Sequence, residues 1–170
     1  RNQLILNAAG EGIYGVNTQG QATFVNRAAQ EMLGWTLEDL VGNVIHNIIH
    51  HHHTDGSVHH AHDCPIYKSF RFEKVMRVDD DVFWKKDGKP IQVEYVSTPI
   101  YNQKVLAGAV IVFRDVTERK VNEKKLINAM NEVADLRDRL EQENAYLQLE
   151  ITKERAHQDV IGRSLSIQQL

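Results

Sequence analysis

The chain has one cysteine, Cys64, so no internal disulfide can staple it. A lone thiol suits a reducing compartment, and a cytoplasmic location is expected. Proline is scarce, with only Pro65, Pro90 and Pro99, and glycine is nearly absent after Val116. Basic residues do not dominate: 20 Lys and Arg against 23 Asp and Glu give a net charge of −3. That balance provides no general positive field, so direct contact with nucleic acid or anionic membrane is not expected. No apolar run approaches the roughly 18 residues that would span a bilayer. There is no G-x-x-x-x-G-K-[ST] phosphate loop and no G-x-S-x-G elbow, so ATP hydrolysis and serine nucleophilic chemistry lack their carriers, and no enzyme activity is expected.

What is present is a 42% hydrophobic fraction over 170 residues, enough for one domain and an appendage. Two regimes divide near Val116. In the first, "GIYGVNTQGQATFVN" predicts two short strands joined at Thr18–Gly20. "RAAQEMLG" predicts a helix stopped by Gly34. Thr36 and Asp39 predict a capping-box start for "LEDL". "VIHNII" is another apolar helical turn, and Pro65 suits the first position of the helix "PIYKSFR". "VFWKKDGKPIQVEYVSTPI" predicts a hairpin turning at Asp87-Gly88, and "KVLAGAVIVFRDV" a last strand apolar on both faces. Its outer face needs cover, either the N-terminal "LILNAA" as a helix or a second subunit. The expected class is α+β, a five-stranded antiparallel sheet with short helices on one face, over residues 1–115.

The second regime predicts one long helix over 116–155, with Thr117 able to cap its start. Leu126, Val133, Leu140 and Leu147 recur every seven residues, with Ala129 and Leu136 between them. That spacing predicts a parallel coiled coil and a homodimer. After Leu140 the seam meets Glu143, whereas Asn144 and Ile151 fit a four-residue step, which reads as a stutter or a polar seam residue.

The stretches "AAGEGIYGVNTQGQATFVNRAAQEMLGW", "EDLVG", "VFWKKDGKPIQVEYVSTPI" and "GAVIVFRDVTERK" resemble a PAS sensor domain in sequence and order. The resemblance implies a sheet that encloses, with the short helices, a ligand or cofactor pocket, and a junction at Asp115 and Thr117 where signal enters the helix. The pocket candidates are Ile13, Phe24, Met32, Leu33, Ile45, Ile48, Ile49, Ile66, Phe70, Val93, Tyr95, Val110 and Val112, with Tyr95 the candidate polar contact to a small-molecule ligand. A light-sensing flavin site is not suggested, since no Asn-Cys-Arg-Phe-Leu-type segment occurs. The tail "DLRDRLEQENAYLQLEI" and Ile161-Gly162-Arg163-Ser164 with Ile167 resemble the linker and start of the AAA+ domain in sigma-54-dependent activators. Residues 156–170 are therefore expected to begin an output domain, and the chain reads as a segment of a longer regulator. The rival is the sensor half of a histidine kinase, whose phosphoacceptor helix would carry His-Glu and a later proline. Here Gln158 follows His157 and no proline comes after Pro99.

The stretch "IIHHHHTDGSVHHAHDCPI" holds seven of the nine histidines and Cys64. If helical, it would pair His50 with His53 and His59 with His62, and Cys64 would add a soft ligand for a metal such as zinc. Cys64-Pro65 could instead ligate haem, with His46 axial. The eight histidines from His46 to His62 could also sense pH. With almost no apolar side chain between His50 and Asp63, the loop reads first as solvated, and replacing 51–60 by a Gly/Ser linker is expected to cost little stability. No cofactor is assigned; metal and haem stay open.

Overall fold

A computed structural model of the protein describes residues 10–168. Strands β1 (Gly12–Asn17) and β2 (Ala22–Val25) form the first hairpin. Helices α1 (Arg27–Leu33), α2 (Leu37–Leu40), α3 (His46–Ile49) and α4 (Pro65–Arg71) follow, with a single 3-10 turn at Ala61–Asp63. Then come β3 (Met76–Trp84), β4 (Pro90–Asn102), β5 (Val105–Asp115) and the 52-residue helix α5 (Thr117–Gln168). The five strands form one antiparallel sheet in the order β2-β1-β5-β4-β3. The N-terminal segment expected as a helix lies outside the described residues.

Local chemistry accounts for the helix ends. Asn26 accepts from the Ala29 N–H to start α1, and Gly34, at φ 72°, ends it in the left-handed conformation. Thr36 and Asp39 form both bonds of a capping box. Pro65 opens α4, where its missing N–H is not needed. In β5, Gly108 sits at φ 142°, and a Cβ there would lie 1.8 Å from the Val16 carbonyl oxygen, so only glycine lets β1 approach this closely.

The core lies between the sheet's inner face and the short helices. Tyr14, Phe83 and Phe113 are fully buried there, with ring centroids 5.1–6.3 Å apart in edge-on contacts. Strand β3 carries a bulge: Val78 faces Tyr95 and Asp81 faces Val93, so Asp79 and Asp80 together oppose Glu94. Among the described residues, no helix is long and apolar enough to cross a membrane.

The chain divides into two compact units, Arg1–Val121 and Asn122–Leu170. The division falls six residues beyond the boundary expected at 115, because the first turn of α5 is tied to the sheet. The Gln92 N–H donates to Thr117 Oγ1 at 3.0 Å, Arg119 donates to Glu94 at 3.0 Å, and Lys120 pairs with Asp80. Thr117 is the first helical residue and does not itself cap; the Asp115 carboxylate accepts its N–H at 2.9 Å and its hydroxyl at 2.6 Å. In the second unit the helix has no break at 155 and continues to Gln168, through the residues expected to open an output domain. Leu126, Val133, Leu136, Leu140, Leu147 and Ile151 are each between 49% and 64% exposed on it, and Ala129 is exposed with them.

Candidate functional site: a buried histidine–cysteine cluster

Helix α3 ends at Ile49, so residues 50–60 are not helical, and of the run's later histidines only His62 lies in a helical turn, the 3-10 turn Ala61–Asp63. His46, at the start of α3, and His50, at its C-cap, stand one turn apart and both point into the core at 5% and 1% exposure. Cys64 occupies the N-cap position of α4, makes no side-chain capping bond, and is fully buried. His59 is also buried, and Asp81 reaches in from β3.

These side chains meet. The Cys64 sulfur lies 3.3 Å from His50 Nδ1, and His50 Nε2 lies 2.8 Å from Asp81 Oδ2. The Tyr95 hydroxyl donates to the same carboxylate oxygen at 2.9 Å. His46 Nε2 lies 2.7 Å from the His59 carbonyl oxygen, which can only accept, so Nε2 carries the hydrogen. That leaves His46 Nδ1 buried without a hydrogen-bond partner, as is His59 Nδ1. A cavity of about 10 Å³ opens beside His46, His50 and Cys64, between Tyr14, Ile66 and Tyr67.

The electrostatics follow from this packing. Burial pushes the Asp81 carboxyl up, but the bond and charge of His50 outweigh it and hold Asp81 at about 2. Burial opposes charge on His50 too, yet Asp81 and the Cys64 sulfur raise it to about 9. Burial likewise raises the Cys64 thiol, and contacts with His46 and His50 overcome that, bringing it to about 6. These directions favour a thiolate–imidazolium–carboxylate chain in the ion-free cluster near neutral pH. Burial and then the His50 charge lower His59 to about 4. Burial and the Asp81 charge keep Tyr95 protonated, its pKa well raised.

A sequence profile of the PAS fold matches residues 1–116. The chain belongs to the PAS family. Among solved structures it is similar to the PAS domain of a Colwellia psychrerythraea protein, at 19% identity and TM-score 0.57, covering 69% of this chain and 95% of that one. It is also similar to the PAS domain of nitrogen regulation protein NR(II) from Vibrio parahaemolyticus, at 18% identity and TM-score 0.54, covering 67% and 96%. An RNA-binding light-oxygen-voltage receptor matches at 14% identity and TM-score 0.60, covering 76% of this chain and 36% of the receptor. At these identities the likeness is one of fold. No curated protein matches the chain in sequence.

Within this PAS sensory domain, Leu33, Ile45, Ile49, Ile66, Phe70, Val93 and Tyr95 belong to the buried core, and Met32 and Ile48 pack against it. Ile13, Phe24, Val110 and Val112 do not. Side chains alternate along a strand, and Tyr14, Val16, Ala109, Ile111 and Phe113 take the inner positions. Their neighbours Ile13, Val110 and Val112 therefore lie on the outer face, as does Phe24, whose ring covers Gly15. The space left among the inner residues near Cys64 is about 10 Å³. Organic ligands need pockets of about 300 Å³ or more, so neither such a ligand nor a haem fits there without repacking. Tyr95, the expected ligand contact, already donates to Asp81 and stacks on Phe83 at 5.5 Å.

The expected metal ligands also divide. His50, His59 and Cys64 come together, but His53 and His62 stay exposed. His53 sits in a turn closed by bonds with Ser57 and Gly56, and His62, 67% exposed, pairs with Asp63. The loop is also no mere solvated appendage. Trp84 Nε1 donates to the His52 carbonyl at 2.8 Å, and the buried His59 closes the cluster. Replacing 51–60 would remove that wall, so the expectation of dispensability is corrected. The sequence offers His46 as a haem ligand or as one of the pH-sensing histidines, and it does not single out Asp81. One signal for Asp81 was available: an acidic triplet, Asp79 to Asp81, directly before the core residues Val82 and Phe83.

The pKa values carry a sign. Unfolding returns the Cys64 proton from solvent while releasing the His50 proton to it, so the two shifts largely cancel across neutral pH. Asp81 is not cancelled. Its folded pKa lies below the ordinary 3.8, so its contribution is present above that pH and is lost as pH falls through about 2. The loss amounts to about 2 kcal/mol. With chelator present, melting temperature is expected to be nearly flat above about pH 7 and to fall as pH drops below about 6.5. The fall comes first because unfolding lets His59, held at about 4 in the fold, take up a proton, and below about pH 4 through Asp81 as well. Asp81→Asn should show a shallower acid limb, and an unchanged limb would contradict the assignment.

Proposed function

We propose that this chain is a non-catalytic PAS regulatory module that forms a homodimer through α5 and passes a signal into an output domain of a bacterial transcriptional regulator. The observation that carries this is the junction. The last strand runs through Asp115 into α5, and Thr117, Arg119 and Lys120 bond the first helical turn to β3 and β4. A change of packing inside the sheet therefore has bonded routes to the start of the helix. Two copies joined by the leucine seam form a bistable element whose rotation or register such a change can bias.

The resemblance of the tail to sigma-54-dependent activators favours an AAA+ ATPase as output, acting in the cytoplasm, with this module touching neither nucleotide nor DNA. The helical backbone through 161–168 is compatible with a linker that continues into such a domain. The test uses the module joined to its native downstream sequence. One residue inserted after Asn122 rotates the output by about 100°, and seven restore the seam's phase. Output is expected to alternate with insertion length. A steady decline with length would reject the proposal, and a downstream phosphoacceptor helix in place of a Walker-type ATPase would favour a histidine kinase.

A further inference from the structure

His46, His50 and Cys64 each offer a ligand atom, and these atoms all lie within 4.8 Å of one another. We infer that they form a binding site for one thiophilic d10 metal ion, Zn2+ or Cu+, at the centre of the PAS domain.

Four observations converge on it. The first is spacing: tetrahedral zinc with sulfur at about 2.3 Å and nitrogen at about 2.0 Å puts those ligands about 3.5 Å apart. His50 Nδ1 and Cys64 Sγ are 3.3 Å apart already. The second is orientation. Ligating histidines donate their other ring N–H to a carboxylate or a carbonyl, which fixes the tautomer and the ring. His50 Nε2 meets the Asp81 carboxylate and His46 Nε2 the His59 carbonyl, so each ring is left with Nδ1 to coordinate. The third is the unpartnered His46 Nδ1, in a side chain only 5% exposed. Leaving such a group unmet is costly, and a metal ion meets it. The fourth is the cavity of about 10 Å³ bordered by all three residues, room for a single atom or water and little else.

The ion-free thiolate–imidazolium pair explains His50 and Cys64, and His46 helps to lower the thiol, but His46 Nδ1 is still left without a hydrogen bond of good geometry. A second set, His50, His59 and Asp81, also lies within 4.8 Å. It lacks sulfur, and it would need the His50 nitrogen that Asp81 holds. Two imidazoles and a thiolate select soft or borderline ions over Mg2+ and Ca2+. Binding shifts a proton from the site to solvent, since the ligands coordinate as thiolate and uncharged imidazole. The site does not depend on which output domain follows.

Because Cys64 is the only cysteine, a sulfur-to-metal absorption band can come from nowhere else in the chain. Chelator-stripped protein titrated with Co2+ is expected to develop a near-ultraviolet thiolate-to-cobalt band, saturating at one ion per chain and bleached by Zn2+. Anaerobic Cu+ competition then distinguishes the two ions, and tight binding of either supports the site. C64S should abolish the band. His46→Gln keeps an amide donor for the His59 carbonyl but removes Nδ1, and should weaken binding at least 10-fold. D81N should weaken it about 10–100-fold through His50. A variant with His53, His60 and His62 all changed to Ser should keep the band, which separates this site from adventitious surface binding. H59A should also keep it, because only the His59 backbone carbonyl meets the ligand set. Zn2+ binding that H59A removes and C64S leaves intact would point to the sulfur-free set and overturn the inference. Far-ultraviolet circular dichroism checks each variant's fold. Should the core variants not fold, the wild-type spectrum decides alone. Absence of the band in the wild-type chain overturns the inference, as does Zn2+ affinity that C64S leaves intact and the triple variant removes.

Discussion

Asp81→Asn is expected to lower the stability of the PAS domain by about 3 kcal/mol, the usual cost of leaving one partner of a buried ion pair alone. The carboxylate accepts from both His50 Nε2 and the Tyr95 hydroxyl, and His50 is 1% exposed, so water cannot replace the lost charge. Asparagine keeps the size and an accepting oxygen, but it is uncharged and cannot balance an imidazolium. For a unit of this size the melting temperature should fall by roughly 10 °C or more at neutral pH in the presence of chelator. Thermal melts by circular dichroism make the comparison. A variant melting within about 2 °C of the parent would show that the pair contributes little, and the account of the cluster would need revision.

Changing Leu136 and Leu140 together to Asp is expected to convert the proposed dimer into monomers. Both are more than half exposed on the helix of the second unit, at 51% and 59%, and they fall on successive positions of the heptad seam. Four aspartates in a paired seam would lie close together in an apolar strip, where like charges repel strongly. Light scattering at tens of micromolar, roughly where short zippers pair, reads the outcome directly. The PAS core should keep its circular dichroism and its melting transition, because these residues lie outside that unit. A parent chain that is already monomeric at that concentration would sink the dimer proposal.

How far the sequence could be read depended on the range of the interaction. The capping box at Thr36 and Asp39, the αL glycine at Gly34, Pro65 at the start of α4 and the Asp87-Gly88 turn are decided by neighbours within four residues. Each was legible. The inner face of β5 was not, because "VLAGAVIVF" is apolar on both faces and gives no period-two signal, so Val110 and Val112 could not be told from Ile111 and Phe113. The cluster was half legible. Composition marks a concentration of histidine and one cysteine, but the choice of His46 over His53 depends on where α3 stops. Asp81 reaches His50 across 31 residues of sequence, through a bulge that no local pattern announces.

That bulge has a mechanical meaning. An extra residue leaves the ladder locally unpaired, so β3 is more compliant at Asp79–Asp80 than on either side. Asp81, on the inner side of this soft point, holds His50; Asp80, on the outer side, holds Lys120 in the first turn of α5. A single peptide unit, about 3.8 Å from one Cα to the next, separates the two grips. A pull on the imidazole need not deform a whole stiff sheet to be felt at the helix. It has only to turn one hinge pin.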